Sequence, residues 1–116
     1  MRRNWSSREM LLCLAVYASL NESQRKSPPR TILRQLASLT GRTEGSISLR
    51  FQNFSSEDPD LTSAGRKGMT GGGSHVSETW YKFSRNDRTL DLSLLLREVA
   101  MNFYTLNTER QNESNG

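Results

Sequence analysis

The stretch LASLTGRTEGSISLRFQNF, residues 36–54, combines apolar positions at helical spacing with a glycine, an arginine and several small polar residues. Gly41 follows an apolar helical pattern at the position where helices commonly end in a left-handed residue. Thr43 can then cap a second helix over residues 43–54, with Glu44 near the positive end of its dipole. Two short helices joined by a tight turn that contains glycine are typical of a helix-turn-helix unit.

The second helix of this unit has two unlike faces. At about 100° per residue, three large apolar residues fall on one side and predict the buried face. The opposite side is small, uncharged or amide-bearing apart from one leucine, whereas a solvated helix normally carries Glu and Lys there. The inward residues are Ile47, Phe51 and Phe54; the outward ones are Gly45, Leu49 and Gln52, with Ser46 and Asn53 on one shoulder and Ser48 on the other.

The sequence before this unit predicts two helices. Ser6 or Ser7 can cap a first helix that runs to about Leu20, and Trp5 can fold back over its start. The polar segment 21–30 contains two prolines, and no regular helix is expected there. The next helix runs from about residue 29 or 31 to residue 39 and carries apolar side chains at Ile32, Leu33, Leu36, Ala37 and Leu39.

The sequence after this unit predicts a long loop and two more helices. Residues 55–77 are rich in glycine, and loops of this length are commonly functional or disordered. One helix is expected over about residues 76–83, and a last helix after a cap at Asp91. The buried stripe of that last helix is expected at Leu94, Leu95, Val99 and Phe103.

These elements together predict an all-α fold. It has a three-helix helix-turn-helix core, one or two additional C-terminal helices and a long glycine-rich loop. A chain of 116 residues suits one domain, which we place at residues 1–106. Residues 107–116 have no apolar side chain and are expected to form a disordered tail.

The charge of the chain is basic and unevenly distributed. Sixteen Lys and Arg against twelve Asp and Glu give a net charge of +4, and only three of the cations are lysines. Arginine presents a planar fork of donors that suits phosphates and guanine edges. Between residues 24 and 50 the local net charge is +5, which favours a nucleic acid as partner. That segment holds Arg25, Lys26, Arg30, Arg34, Arg42 and Arg50 against Glu44.

Several function classes lack support in the sequence. Cys13 is the single cysteine, so no internal disulfide is expected, and no segment reaches the roughly 20 apolar residues that span a bilayer. No cleavage site ends the N-terminal apolar run, and we interpret the chain as cytoplasmic. His75 is the single histidine, Asp58 and Asp60 are expected to form a turn, and GMTGGGS lacks the ending of a phosphate loop. We expect no catalysis, no cofactor and no metal.

The stretch LASLTGRTEGSISLRFQNFSSEDPDLTSAGRKGMTGGGS resembles the N-terminal domain of bacterial and archaeal HNH-endonuclease proteins of the restriction type. That family reads LA, then GRT, a serine, a basic residue, an asparagine, DP and two spaced glycines. The opening WSSREMLLCLAVY is similar to its start, so the resemblance covers about residues 5–83. It implies a DNA-targeting module, without the nuclease itself, in a restriction or defence context. The matching residues are Leu36, Ala37, Gly41, Arg42, Thr43, Ser46, Ile47, Arg50, Phe51, Asn53, Phe54, Asp58, Pro59, Gly65 and Gly68.

We therefore predict a double-stranded DNA-binding module that selects a sequence or a modified, for example methylated, base. A recognition helix in the major groove needs short residues near its start, an amide or hydroxyl for base edges and flanking arginines for phosphates. A leucine can contact the C5 methyl group of thymine or of methylated cytosine. The predicted contacts are Arg42, Thr43 and Ser46 to backbone or base edges, Leu49, Gln52 and Asn53 in the groove, and Arg66 and Lys67 to phosphates. Arg50 either joins them or lies over the buried face.

A protein-interaction or dimerisation module without DNA binding is the alternative. The last helix has apolar residues around much of its circumference, which is typical of a core helix or a partner contact. A second copy of the chain or a separate nuclease would then be the partner, and no membrane is expected. The contact residues would be Leu49, Leu92, Leu95, Leu96 and Met101.

Overall fold

The computed structural model describes residues 5–62 and 73–102 of the protein. These residues contain no β-strand, and an isolated bridge joins Ser84 to Leu90. The predicted all-α fold class is therefore confirmed. The helices are α1 (Ser7–Ser19), α2 (Glu22–Lys26), α3 (Arg30–Thr40), α4 (Glu44–Glu57), α5 (Pro59–Thr62), α6 (Gly73–Lys82) and α7 (residues 92–102).

Helix α1 begins where the sequence predicts. The Ser6 side chain accepts a hydrogen bond from the backbone N–H of Glu9 at 3.1 Å, and the Glu9 carboxylate accepts one from the backbone N–H of Ser6 at 2.9 Å. This reciprocal capping box satisfies two of the amides that a helix start leaves unpaired. Most of the apolar face of α1 is buried, and the helix forms one wall of the core.

The segment between α1 and α3 contains a helix that the sequence analysis missed. Asn21 caps α2 through its side chain, and the Gln24 side chain accepts a hydrogen bond from the Asn21 backbone. Two polar residues thus form a capping box although α2 has no buried residue. The expectation of no regular helix before Arg30 is therefore wrong for residues 22–26, because hydrophobic periodicity does not detect a helix that is held by its caps.

The turn between α3 and α4 has the predicted form. Gly41 follows α3 in the left-handed conformation, with a φ of 74°, which glycine adopts without steric cost. Thr43 caps α4 by accepting a hydrogen bond from the backbone N–H of Ser46 at 3.0 Å. The two helices pack against each other across this turn.

Helix α4 is longer, and the loop after it shorter, than the sequence analysis predicts. The helix continues to Glu57, and two serine hydroxyls near its end donate to carbonyls of the same helix. Helix α5 follows directly, and α6 begins at Gly73, so the loop predicted at residues 55–77 is helical at both ends. Its centre, including Arg66 and Lys67, lies outside the described residues.

The core surrounds a group of aromatic rings from α1, α4 and α6. The Tyr17 ring meets three other rings edge-on, with ring centres between 5.5 and 6.0 Å apart. These rings are those of Phe51, Phe54 and Trp80. The Trp80 indole N–H donates to the carbonyl of Arg88 at 2.9 Å, so this buried donor is satisfied.

Helix α7 begins after the predicted cap. The Asp91 carboxylate accepts a hydrogen bond from the backbone N–H of Leu94 at 3.2 Å. Leu95 is fully buried, and Leu94 and Val99 pack partly buried against the core. The fourth residue of the predicted stripe, Phe103, and the tail at residues 107–116 lie outside the described residues.

The thiol of Cys13 is expected to be unreactive in the folded protein. It has no exposed surface, and burial together with the charge of Glu9 raises its pKa to about 12. Because the thiolate is the reactive form, we expect Cys13 to react with a thiol reagent at least about 100-fold more slowly in native buffer than in concentrated urea. The absorbance of released thionitrobenzoate measures both rates. Similar rates would show that this face of α1 opens readily.

Candidate nucleic-acid interface

Helix α4 presents the two faces that its sequence predicts. Ile47, Phe51 and Phe54 are each at most 1% exposed. On the opposite side, Gly45, Leu49 and Gln52 are exposed, and 46% of the Leu49 surface is accessible. The exposed side of α4 therefore bears one glycine, one leucine and one amide, and we call these three residues the outward face.

Gly45 is not required by the packing of the chain itself. A Cβ atom added there would meet only the Thr43 hydroxyl oxygen, at 4.0 Å, so alanine would fit among the described residues. Glycine in a helix costs about 1 kcal/mol relative to alanine. The fold gains nothing visible in return, and the glycine leaves space for a body outside the chain to approach the backbone of α4.

Helix α3, which packs against α4, bears exposed arginines and an exposed leucine. The Arg30 side chain is 78% exposed and forms a surface ion pair with Glu44 at 3.4 Å. Arg34 is exposed and forms no ion pair with a described residue. Leu39, which the sequence analysis counts among the apolar side chains of this helix, is 72% exposed. It lies outside the buried arc because Leu36 and Thr40 define the inward direction at the end of α3.

A contact between Arg42 and DNA would require its side chain to extend from the turn into solvent, and the side chain does not do so. Its side chain is 10% exposed, and its Nε and Nη2 donate to both carboxylate oxygens of Glu9, at 3.1 and 3.2 Å. The guanidinium carbon lies 4.3 Å from the centre of the Trp5 ring. The sequence indicates that Arg42 lies in a turn, but it does not indicate the ion pair with a carboxylate 33 positions earlier. Because this ion pair occupies the guanidinium, we no longer expect Arg42 to contact a phosphate.

Arg50 lies over the same ring, with its guanidinium carbon 4.6 Å from the ring centre of Trp5. Its Nε is buried and makes no hydrogen bond with any described residue. Burial and then the charge of Arg42 lower the pKa of Arg50 below its ordinary value. Arginine nevertheless keeps its proton in proteins, so Arg50 is a fixed cation without an acidic partner in the described part of the chain.

The remaining predicted contacts of α4 divide between surface and interior. Thr43 is exposed, but its hydroxyl already accepts the cap hydrogen bond. Ser46 is half-buried on the side of α4 that also carries Arg50. Asn53 is 4% exposed, so its predicted place in a groove is wrong. Asn53 lies in the part of α4 that ends at Glu57, and α4 also packs against α5 and α6.

Acidic residues pair with most cations of the basic segment, and all of these partners except Glu44 lie outside the segment. Within the described residues, four of its six cations form ion pairs, and Arg34 and Arg50 form none. The pairs are Arg25 with Asp58 and Asp60, Lys26 with Glu22, Arg30 with Glu44, and Arg42 with Glu9. The local value of +5 therefore overstates the positive surface. The cations of this segment that form no ion pair with a described residue are Arg34 on α3 and Arg50 on α4.

Asp58 lies in the predicted turn, between α4 and α5, where its Oδ1 accepts the backbone N–H of Asp60 at 3.0 Å, and its carboxylate is also buried. It is 1% exposed, and its Oδ2 accepts hydrogen bonds from the Tyr17 hydroxyl at 2.7 Å and from Arg25 Nη1 at 3.2 Å. Arg25 also donates to the carbonyls of Tyr17 and Ala18 at the end of α1. These contacts join α1, α2 and the end of α4, and so help to fix the orientation of α4 and its outward face.

A shallow groove of about 350 Å³ lies between α1, α6 and α7. Its lining combines the cations Arg8 and Lys82 with the anions Glu78 and Glu98, and it includes His75. Because the signs are mixed, this groove lacks the one-signed potential that attracts a polyanion. Among the described residues, no three His, Cys, Asp or Glu side chains are grouped as metal ligands would be.

Comparison with protein-family models, curated proteins and solved structures finds no match to this chain. The resemblance to the HNH-endonuclease domains therefore stays a prediction. Within residues 5–62 and 73–102, every helix is too short or too polar to cross a membrane.

Proposed function

We propose that the protein binds double-stranded DNA by placing the outward face of α4 in the major groove. The main support is the composition of that face: it is exposed, uncharged and small at its start, on a helix that otherwise packs into the core. A recognition helix needs such a face, whereas a helix that faces only water gains from Glu and Lys. The exposed arginines of α3 lie on the neighbouring helix.

The residues would have separate roles at the duplex. Leu49 would contact a C5 methyl group of thymine or methylated cytosine, and the Gln52 amide would read an adjacent base edge. Gly45 would let the start of α4 approach the duplex closely. Arg30 and Arg34 would contact phosphates, which fix position but carry no sequence information.

The remaining predictions belong to the same proposal. The chain would act as a cytoplasmic binding module and not as an enzyme. It would target DNA for a separate nuclease in a restriction or defence context, as the resemblance to HNH-endonuclease domains implies.

A protein-interaction module is the second candidate, and two exposed residues of α7 favour it. Leu96 is 54% exposed and Met101 is 58% exposed. Leu95, which the sequence analysis assigned to the same contact, is fully buried in the core. A partner surface on α7 would therefore include Leu96, Met101 and the partly exposed Leu92, without Leu95.

Replacing Leu49 with glutamate is expected to weaken binding to a labelled duplex at least about tenfold, because a carboxylate would face the phosphates and lose the methyl contact. Fluorescence anisotropy at low salt measures the affinity. Leu96→Glu is the matched control, since both leucines are about half exposed and the substitution is the same. It should leave the affinity unchanged.

The wild type and these two variants are expected to behave differently under the two candidate functions. DNA binding by the wild type that weakens steeply between about 50 mM and about 200 mM salt supports the proposed function. An absence of binding at the lower salt concentration would refute it. If only Leu96→Glu had an effect, and that effect were the loss of a dimer in sedimentation velocity, the interaction module would be the better description.

A further inference from the structure

The indole of Trp5 carries two guanidinium groups. The guanidinium carbons of Arg42 and Arg50 lie 4.3 and 4.6 Å from the centre of its ring. Each is within the distance at which a cation is attracted to the face of an aromatic ring. Because both cations contact one ring, their like charges repel each other, and a nearby anion offsets this repulsion.

Within the described part of the chain, the carboxylate that contacts this group is that of Glu9, and it binds Arg42. Both oxygens of Glu9 accept hydrogen bonds from Arg42, and one of them also accepts the backbone N–H of Ser6. Arg50 forms no ion pair or hydrogen bond with a described residue, and its Nε is buried. The group of Trp5, Glu9, Arg42 and Arg50 therefore has one positive charge in excess, and that charge belongs to Arg50.

The position of Arg50 relates this charge to the outward face of α4. Arg50 and Ser46 lie four residues apart and so share one side of the helix. The Ser46 hydroxyl makes no hydrogen bond within the described residues and is half exposed. Arg50 and Ser46 together place one guanidinium group and one neutral hydroxyl donor on the side of α4 next to Leu49.

We propose that Arg50, held against Trp5 and assisted by the Ser46 hydroxyl, binds one backbone phosphate of the duplex whose groove receives α4. This inference rests on the DNA binding proposed above. A phosphate offers two oxygens to a guanidinium fork and a further oxygen to a hydroxyl. Arg42 and Glu9 are positioning residues, because Glu9 neutralises Arg42 and leaves the single free charge on Arg50.

Replacing Arg50 with glutamine tests the phosphate contact. Each phosphate contact contributes about 0.9 to the slope of log K against log salt concentration, so the slope is expected to become shallower by about 0.9. The affinity at low salt should fall about tenfold. Arg97→Gln removes a cation from the exposed side of α7 and should change neither value. Anisotropy titrations of one labelled duplex at four salt concentrations give both values.

Replacing Arg50 with lysine separates the charge from the shape of the guanidinium. Lysine keeps a cation, so the salt slope should be retained, whereas its ammonium cannot form the paired contact and the affinity should still fall. This variant also covers the case in which Arg50→Gln does not fold, as judged by circular dichroism.

The outcomes separate the two proposals. If the wild type binds the duplex and both Arg50 variants match Arg97→Gln in slope and affinity, Arg50 does not contact a phosphate and the proposed function stands. If the wild type does not bind at low salt, both proposals fail together.

Discussion

Replacing Asp58 with alanine is expected to lower the free energy of unfolding by about 3 kcal/mol, because it removes the buried member of an ion pair and leaves Arg25 with only the exposed Asp60 as an acidic partner among the described residues. The Arg25 side chain is 17% exposed, so its charge cannot return to bulk water without moving α2. The Tyr17 hydroxyl would lose its 2.7 Å acceptor and keep only a long contact to Ser55, at 3.4 Å. Urea denaturation followed by tryptophan fluorescence measures the loss.

Asp60→Ala is the matched control for this prediction. Asp60 pairs with the same arginine, at 3.6 Å, but its side chain is 57% exposed. Solvent screens such a pair, and its removal should cost less than about 1 kcal/mol. Asp58→Asn, which keeps the shape and removes the charge, should fall between the two. Equal losses for Asp58→Ala and Asp60→Ala would show that the buried carboxylate stabilises no more than a surface one.

The Tyr17 phenol gives this network a dependence on alkaline pH. Burial raises the pKa of Tyr17, and the hydrogen bond to the Asp58 carboxylate acts in the same direction, although Ser55 opposes it. The folded pKa is thus above the unfolded value of about 10. The stabilisation by the protonated Tyr17 phenol is fully present below the unfolded pKa and is lost as the pH rises through the folded pKa.

The elements that the sequence predicted correctly are those fixed by neighbouring residues. The end of α3 at Gly41 has a local cause, since glycine adopts a positive φ at a helix end without strain. The caps at Ser6, Thr43 and Asp91 depend on amides no more than three residues away. The buried side of α4 follows from the spacing of its large apolar residues. Each of these features is complete within about two turns of the chain.

The features that the sequence analysis missed depend on partners far along the chain. Arg42 meets a carboxylate 33 positions earlier, and Asp58 meets a phenol 41 positions earlier. Asn53 is buried on a helix that packs against elements both before and after it in sequence. Charge counted along the sequence carries no information about such pairing, which explains why the basic segment seemed more positive than its surface is. Arg50 shows the converse, because only the three-dimensional structure shows that it has no acidic partner among residues 5–62 and 73–102.

Replacing Glu9 with glutamine is expected to lower the free energy of unfolding by about 2 kcal/mol, between the values for surface pairs and for buried pairs. Glutamine also serves in a capping box, so the hydrogen bond to the Ser6 backbone can be kept while the charge is removed. Arg42, whose side chain is 10% exposed, would then lose its ion pair with Glu9 while the charge of Arg50 stays at the same Trp5 ring. Thermal and urea unfolding at neutral pH measure the loss.

The pH dependence of unfolding distinguishes lost charge from lost packing at Glu9. Burial raises the pKa of the Glu9 carboxyl, but hydrogen bonds from Arg42 and Ser6 outweigh it, so the folded pKa lies below 4.5. The stabilisation by Glu9 is therefore present above about pH 4.5 and is lost as the pH falls through the folded value. Wild type and Glu9→Gln should converge in stability under acid, whereas a constant difference at all pH values would attribute the loss to packing. Glu44→Gln, at the start of α4 and paired with the exposed Arg30, should cost less than about 0.5 kcal/mol at any pH.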